Sequence, residues 1–123
     1  MADDYTSLGL GELTSLVTDI QIKQWGTELW LHCVYDPLGE RVPYALIFQD
    51  CRQLQWEIHD AAASSDLEAD LIGMALGQNN YRQVAIIHTD IFELSLLYGT
   101  VSLRKAGNMA AEINLTEKVM AAL

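Results

Sequence analysis

The chain has 123 residues, half of them hydrophobic and 20% charged, a single domain's worth of sequence with too much apolar content for wholesale disorder. Seven Lys and Arg stand against 17 Asp and Glu, a net charge of −10. A field of that sign repels phosphate backbones and anionic lipid, which argues against nucleic-acid and membrane-surface partners.

The opening MADDYTSLGLGEL has no basic n-region and no long apolar core, so no secretory signal is expected. No run approaches the roughly 20 apolar residues of a spanning helix. Residues 1–11 contain Asp3, Asp4, Ser7 and two glycines and read as a loose N-terminal arm on a domain spanning residues 1–123. Leu16–Trp25 alternates, with Thr18, Ile20 and Ile22 on one side and Asp19, Gln21 and Lys23 on the other, the pattern of a half-buried strand. Gly26-Thr27 supplies a tight turn into Glu28–Tyr35, whose Leu29, Leu31, Cys33 and Tyr35 oppose Trp30, His32 and Val34. These two strands read as a hairpin.

Asp36-Pro37-Leu38-Gly39 is a turn, with Pro37 pre-setting φ and Gly39 tolerating the left-handed region. Val42–Phe48 follows as a strand, and Pro43, which cannot donate a ladder hydrogen bond, belongs at its start or on an edge. In Gln53–His59, Leu54, Trp56 and Ile58 are expected inward and Gln53, Gln55, Glu57 and His59 outward. Asp60–Asp66 reads as a loop. Leu67–Leu76 fits two patterns: Leu67, Leu71, Met74 and Ala75 suit a helix, while alternation over Leu71–Leu76 suits a strand. Gly73 lowers the helical case by up to ~1 kcal/mol relative to Ala, and the strand is preferred. Gly77–Asn80 is then a hairpin loop.

The stretch Arg82–Arg104 holds two apolar runs, Val84–His88 and Ile91–Tyr98, flanking Thr89-Asp90, and a third run, Thr100–Leu103, after Gly99. These read as consecutive central strands. Beyond a polar break at Lys105–Asn108, Asn114 or Thr116 is placed to cap a short C-terminal helix with Val119, Met120 and Leu123 on one stripe. About eight strands and so little helix predict an all-β antiparallel sandwich or short barrel, including jelly-roll or cupin-like closures. The alternative is an α+β two-layer domain. In overall texture, across its whole length, the chain resembles small uncharacterised bacterial proteins of the cyanobacterial kind. That resemblance carries no signature motif and transfers no functional residue.

Three histidines, His32, His59 and His88, with Glu57, Asp90 and Glu93 close by in sequence, are the metal-ligand candidates. An inward-facing set of such side chains in a barrel suits a transition metal. His88-Thr89-Asp90 has the H-x-D spacing of two-histidine, one-carboxylate iron sites, but no histidine follows it, and the paired histidines of a cupin are missing. Acid–base pairing is possible between His59 and Glu57, or His88 and Asp90, because i and i+2 side chains share a strand face. The ordinary reading of all six is a set of separate, solvated sheet residues.

Cys33 and Cys51 fall in predicted strands with no second thiol within four residues. They read as buried, reduced thiols in a reducing cytoplasm. No nucleophile elbow or cofactor fingerprint is present, and no cofactor is expected. Trp and Tyr are numerous for so short a chain; Trp30 and Trp56 are expected in the core and Tyr81 on the surface. Ile87, Leu97 and Tyr81 are candidate interface residues, because the central strands are apolar on both faces and need a cover. The expected function is that of a small acidic cytoplasmic protein, non-enzymatic, binding a protein partner or a second copy of itself. A cupin-type barrel holding a small ligand or metal is the alternative.

Overall fold

In the computed structural model, the described residues are 5, 8, 10, 13–59, 68–78 and 80–105, with the backbone of 112–114. Nine strands follow in chain order: β1 (Ser15–Lys23), β2 (Glu28–Tyr35), β3 (Val42–Gln49), β4 (Arg52–Ile58), β5 (Ala69–Ala75), β6 (Ala85–Thr89), β7 (Phe92–Leu97), β8 (Thr100–Lys105) and β9 (Glu112–Asn114). A short 3-10 segment, Gln24–Gly26, lies between β1 and β2. All pairings are antiparallel, and the spatial order is β4-β7-β6-β5-β1-β2-β3-β8-β9. The strands form two layers, β9-β8-β3-β2-β1 and β5-β6-β7-β4. Among the described residues, the edges of the two layers meet where Leu16 and Val17 pair with Asp70 and Ala69. The sheet does not close into a barrel, so the fold is the sandwich-like form of the all-β expectation. The α+β alternative is not realised, because β5 is a strand.

Alternation explains the core. Leu29, Leu31 and Cys33 from β2, Tyr44, Leu46 and Phe48 from β3, and Val101 and Leu103 from β8 are buried together. From the other layer come Met74, Ala85, Ile87, Leu94, Leu96 and Tyr98, and all belong to one apolar cluster. Full burial of one such Leu, Ile or Phe stabilises the fold by about 1.5–3 kcal/mol. Pro43 sits where its missing donor costs least: it pairs with Val34, but β8 begins its pairing with β3 only at Tyr44.

Several expectations are corrected. A register shift between Val17 and Asp19 inserts Thr18 as a bulge, which moves Thr18 off the face of Ile20 and Ile22. Those two instead pair with Leu31 and Leu29. Trp30 is half-buried on the outer face, between the Lys23 ammonium 4.2 Å and the Arg104 guanidinium 5.1 Å from its ring centroid. Trp56 is 43% exposed, because β4 ends the sheet order. Ile58 lies beside it, exposed rather than inward. Within the stretch expected to be a loose arm, Leu8 is buried in the core and the Tyr5 hydroxyl donates to Leu13 O at 2.7 Å. Glu112–Asn114 forms a strand against β8; the rest of the expected C-terminal helix and the Asp60–Asp66 loop lie outside the described residues.

Of the interface candidates, Ile87 is fully buried within the chain's own core and leaves no surface for a partner. Leu97 is half-buried and paired with Arg52, and Tyr81 stacks under the Arg52 guanidinium at 4.0 Å.

The β5–β6 connection tightens around Gly77, whose φ is +61° and whose missing Cβ would come 2.3 Å from Gln83 O. Gly73, in the middle of β5, has nothing within 4 Å of that position. Gly77→Ala is therefore expected to lower the unfolding free energy by about 2 kcal/mol or more. Gly73→Ala should leave it unchanged or raise it by about 0.5 kcal/mol. Urea unfolding of the two variants checks this; equal effects would contradict the geometry.

Candidate metal centre

The site is built by register. Across β4, β7 and β6 the pairs Glu57–Glu93 and Glu93–His88 lie in one row, and Gly73 of β5 continues it beside His88. The neighbouring positions Ile87 and Leu94 are fully buried, so alternation turns this row to the outer face of the layer. His88 Nδ1 lies 3.2 Å from Glu93 Oε1, with side chains 40% and 38% exposed. His59 follows directly after β4. Its backbone N–H donates to Ile91 O at 2.8 Å, which holds it against the β6–β7 turn. Its ring centroid is 5.3 Å from that of His88. One ligand atom each from His59, His88 and Glu93 lie within 4.8 Å of one another.

The turn that sets this geometry is tied down from inside. Thr89 is fully buried, and its hydroxyl accepts from the N–H groups of Ile91 and Phe92 at 3.1 and 3.0 Å while donating to Phe92 O at 3.0 Å. Asp90 is occupied elsewhere: its Oδ1 accepts from the Asp70 N–H at 2.8 Å, and its own N–H donates to Asp70 O at 3.1 Å. The carboxylate that meets His88 is thus Glu93, five residues on, and not Asp90. His59 meets His88, not the expected Glu57. Glu57 stands directly opposite Glu93 but is not one of the three clustered ligands.

His32 belongs to the other layer. Its Nε2 is 3.2 Å from Gln21 Oε1, and its ring lies 5.9 Å from Trp30. Two of the three histidines therefore converge, and the third does not. The convergence is on an outer sheet face and not inside a barrel. The local spacings that sequence reading relies on missed it, because His59 comes from the end of β4, far in sequence from the β6–β7 hairpin that carries His88 and Glu93. The signal that could have found it is the hairpin register: a two-residue turn at Asp90-Ile91 places His88 opposite Glu93.

Chemically, two imidazoles and one carboxylate form a borderline donor set suited to zinc and its neighbours. Ligands bound at about 2.0–2.1 Å in a tetrahedron sit roughly 3.3 Å apart, which the 3.2 Å His88–Glu93 separation already meets. A cation bound here would also offset repulsion between Glu57 and Glu93, which stand opposite each other on β4 and β7. The cysteines do not contribute. Both are free and buried. Burial pushes the Cys33 thiol up to about 12 and the Cys51 thiol up to about 11. Comparison with protein-family models, with curated proteins and with solved structures finds no match to this chain.

The cysteine environment carries a pH signature. A thiol whose value is raised from 9.0 to about 11 or 12 on folding holds its proton more tightly in the native state. Its contribution to stability is whole below pH 9 and is lost as pH rises through the folded values. The urea midpoint should therefore fall as pH rises from 9 to about 11. At pH 8 a thiol reagent should label neither cysteine until the protein is denatured. Rapid labelling of the native protein would contradict the burial.

Proposed function

We propose that this is a small, non-enzymatic accessory protein of a bacterial cytoplasm that holds a divalent transition-metal ion at His59, His88 and Glu93. The observation that carries this reading is the clustering of those three ligand atoms within 4.8 Å of one another. The donor set selects against calcium and magnesium, which take oxygen ligands, and suits zinc, cobalt, nickel, copper or ferrous iron. The net charge of −10 raises the local concentration of cations at the surface. Three protein ligands leave at least one coordination position open to water or to a group from a partner.

The accessory role is supported by where the ligands sit. His88 and Glu93 are half-exposed and His59 is exposed on the outer face of the sheet, where water reaches a bound ion. Both thiols are protonated and inaccessible, which suits a reducing compartment, and no helix of the described residues is long and apolar enough to cross a membrane.

Calorimetric titration of the metal-free protein with zinc or cobalt(II) tests the reading. One ion per chain is expected. His88→Ala and Glu93→Gln should each weaken binding by at least about tenfold, while His32→Ala should leave it unchanged. Absence of binding by the wild-type protein, or loss of binding in His32→Ala alone, would overturn it.

A further inference from the structure

We infer that β4 is a self-pairing edge: two copies of this chain join through antiparallel pairing of their β4 strands about a two-fold axis centred on Trp56. Three observations lead there. First, β4 ends the sheet order, so one side of its backbone has no strand partner among the described residues. An edge of this kind is a template for another strand. Second, the usual protections are weak. Residues 55–58 contain no proline and no lysine, and they pair regularly with Ser95, Leu94, Glu93 and Phe92; the bulge is confined to the Arg52–Gln55 end. Third, the apolar side chains of this edge are uncovered, with Trp56 43% and Ile58 54% exposed.

The occupant is a second copy because the strand is complementary to itself in one register. A two-fold axis normal to a sheet keeps faces together, so each residue pairs with a partner residue of the same parity. Centring on Glu57 sets that carboxylate against its own copy, which is repulsive. Centring on Gln55 sets Ile58 against the second copy's Arg52. Centring on Trp56 stacks the two indoles, sets Ile58 against the second copy's Leu54, and places Gln55 opposite the second copy's Glu57. Only this register keeps every apolar side chain against another and brings no like charges face to face. The contact is short, so its area falls at the low end for specific interfaces and the dimer is in concentration-dependent equilibrium.

Gln55 is exposed and makes a charge test possible without touching the core. Sedimentation equilibrium of the full chain in EDTA, which removes any metal bridging, should show mass rising with concentration from 13.7 kDa towards twice that. Gln55→Lys places an ammonium opposite Glu57 twice per dimer and should tighten association by roughly tenfold; Gln55→Glu should weaken it by a similar factor. The same changes at Gln83, also exposed but in the β5–β6 connection, control for net charge and should shift association far less. A monomeric mass at every concentration would overturn the inference, as would equal shifts from the Gln55 and Gln83 variants.

Discussion

Two segments that each cross between the layers, β3 into β4 and β7 into β8, run side by side as one long ribbon. Their shared bend is the constraint on which the rest of the molecule depends. On one side of the bend Gln49 pairs with Thr100, and on the other Arg52 pairs with Leu97. The corner between them is pinned by backbone bonds from Gly99 N–H to Gln49 O at 2.9 Å and from Cys51 N–H to Thr27 O at 2.8 Å. Gly99 suits the corner: a Cβ there would come 3.0 Å from the Cβ of Asp50, a tight contact that the Asp50 side would have to yield to. Tyr98 fills the inside of the corner, fully buried, its ring edge-on to Phe48 and its hydroxyl donating to Leu76 O. Strands that switch layers at such a bend fold one sheet over the other and enclose a core.

The bend also makes the candidate metal centre. It carries β4 and β7 away from β3 and β8, which frees the far edge of β7 to pair with β6. Only then do His88 of β6 and Glu93 of β7 stand in one row, with His59 brought to them from the end of β4. The same geometry leaves β4 as the outer edge of the second layer, with Trp56 and Ile58 uncovered. Site and edge are two consequences of one corner. They lie on opposite faces of β4: the apolar residues face the rim of the core, and Glu57 faces the row of ligands.

Strand identity was largely legible in the sequence, because alternation of side chains across a pleated backbone is a local property. The β1–β2 hairpin, the place of the turn at Asp36–Gly39 and most of the strand expected at Leu71–Leu76 follow from local pattern, although the left-handed residues at that turn are Asp36 and Arg41 rather than Gly39, and the strand runs Ala69–Ala75. What was not legible depends on pairing between distant segments. The bulge at Thr18 is a two-against-one mismatch with β2 and leaves no mark in β1 alone. Trp30 and Trp56 look like core residues by type; only their places, on an outer face and an edge strand, show otherwise. Glu112–Asn114 is too short to declare itself without β8 beside it. The metal ligands were all recognised as candidates, yet were grouped by sequence distance, with Asp90 given to His88. The structure gives Asp90 to the backbone of Asp70 and brings Glu93 to His88 across the hairpin.

Zinc-edge anomalous diffraction from crystals of the zinc-loaded protein tests this account most directly. The account predicts a single strong peak on the outer face of the β4-β7-β6 layer, about 2.0–2.2 Å from one nitrogen each of His59 and His88 and from a Glu93 oxygen. A peak beside His32 instead, or none among these three residues in fully loaded crystals, would contradict it.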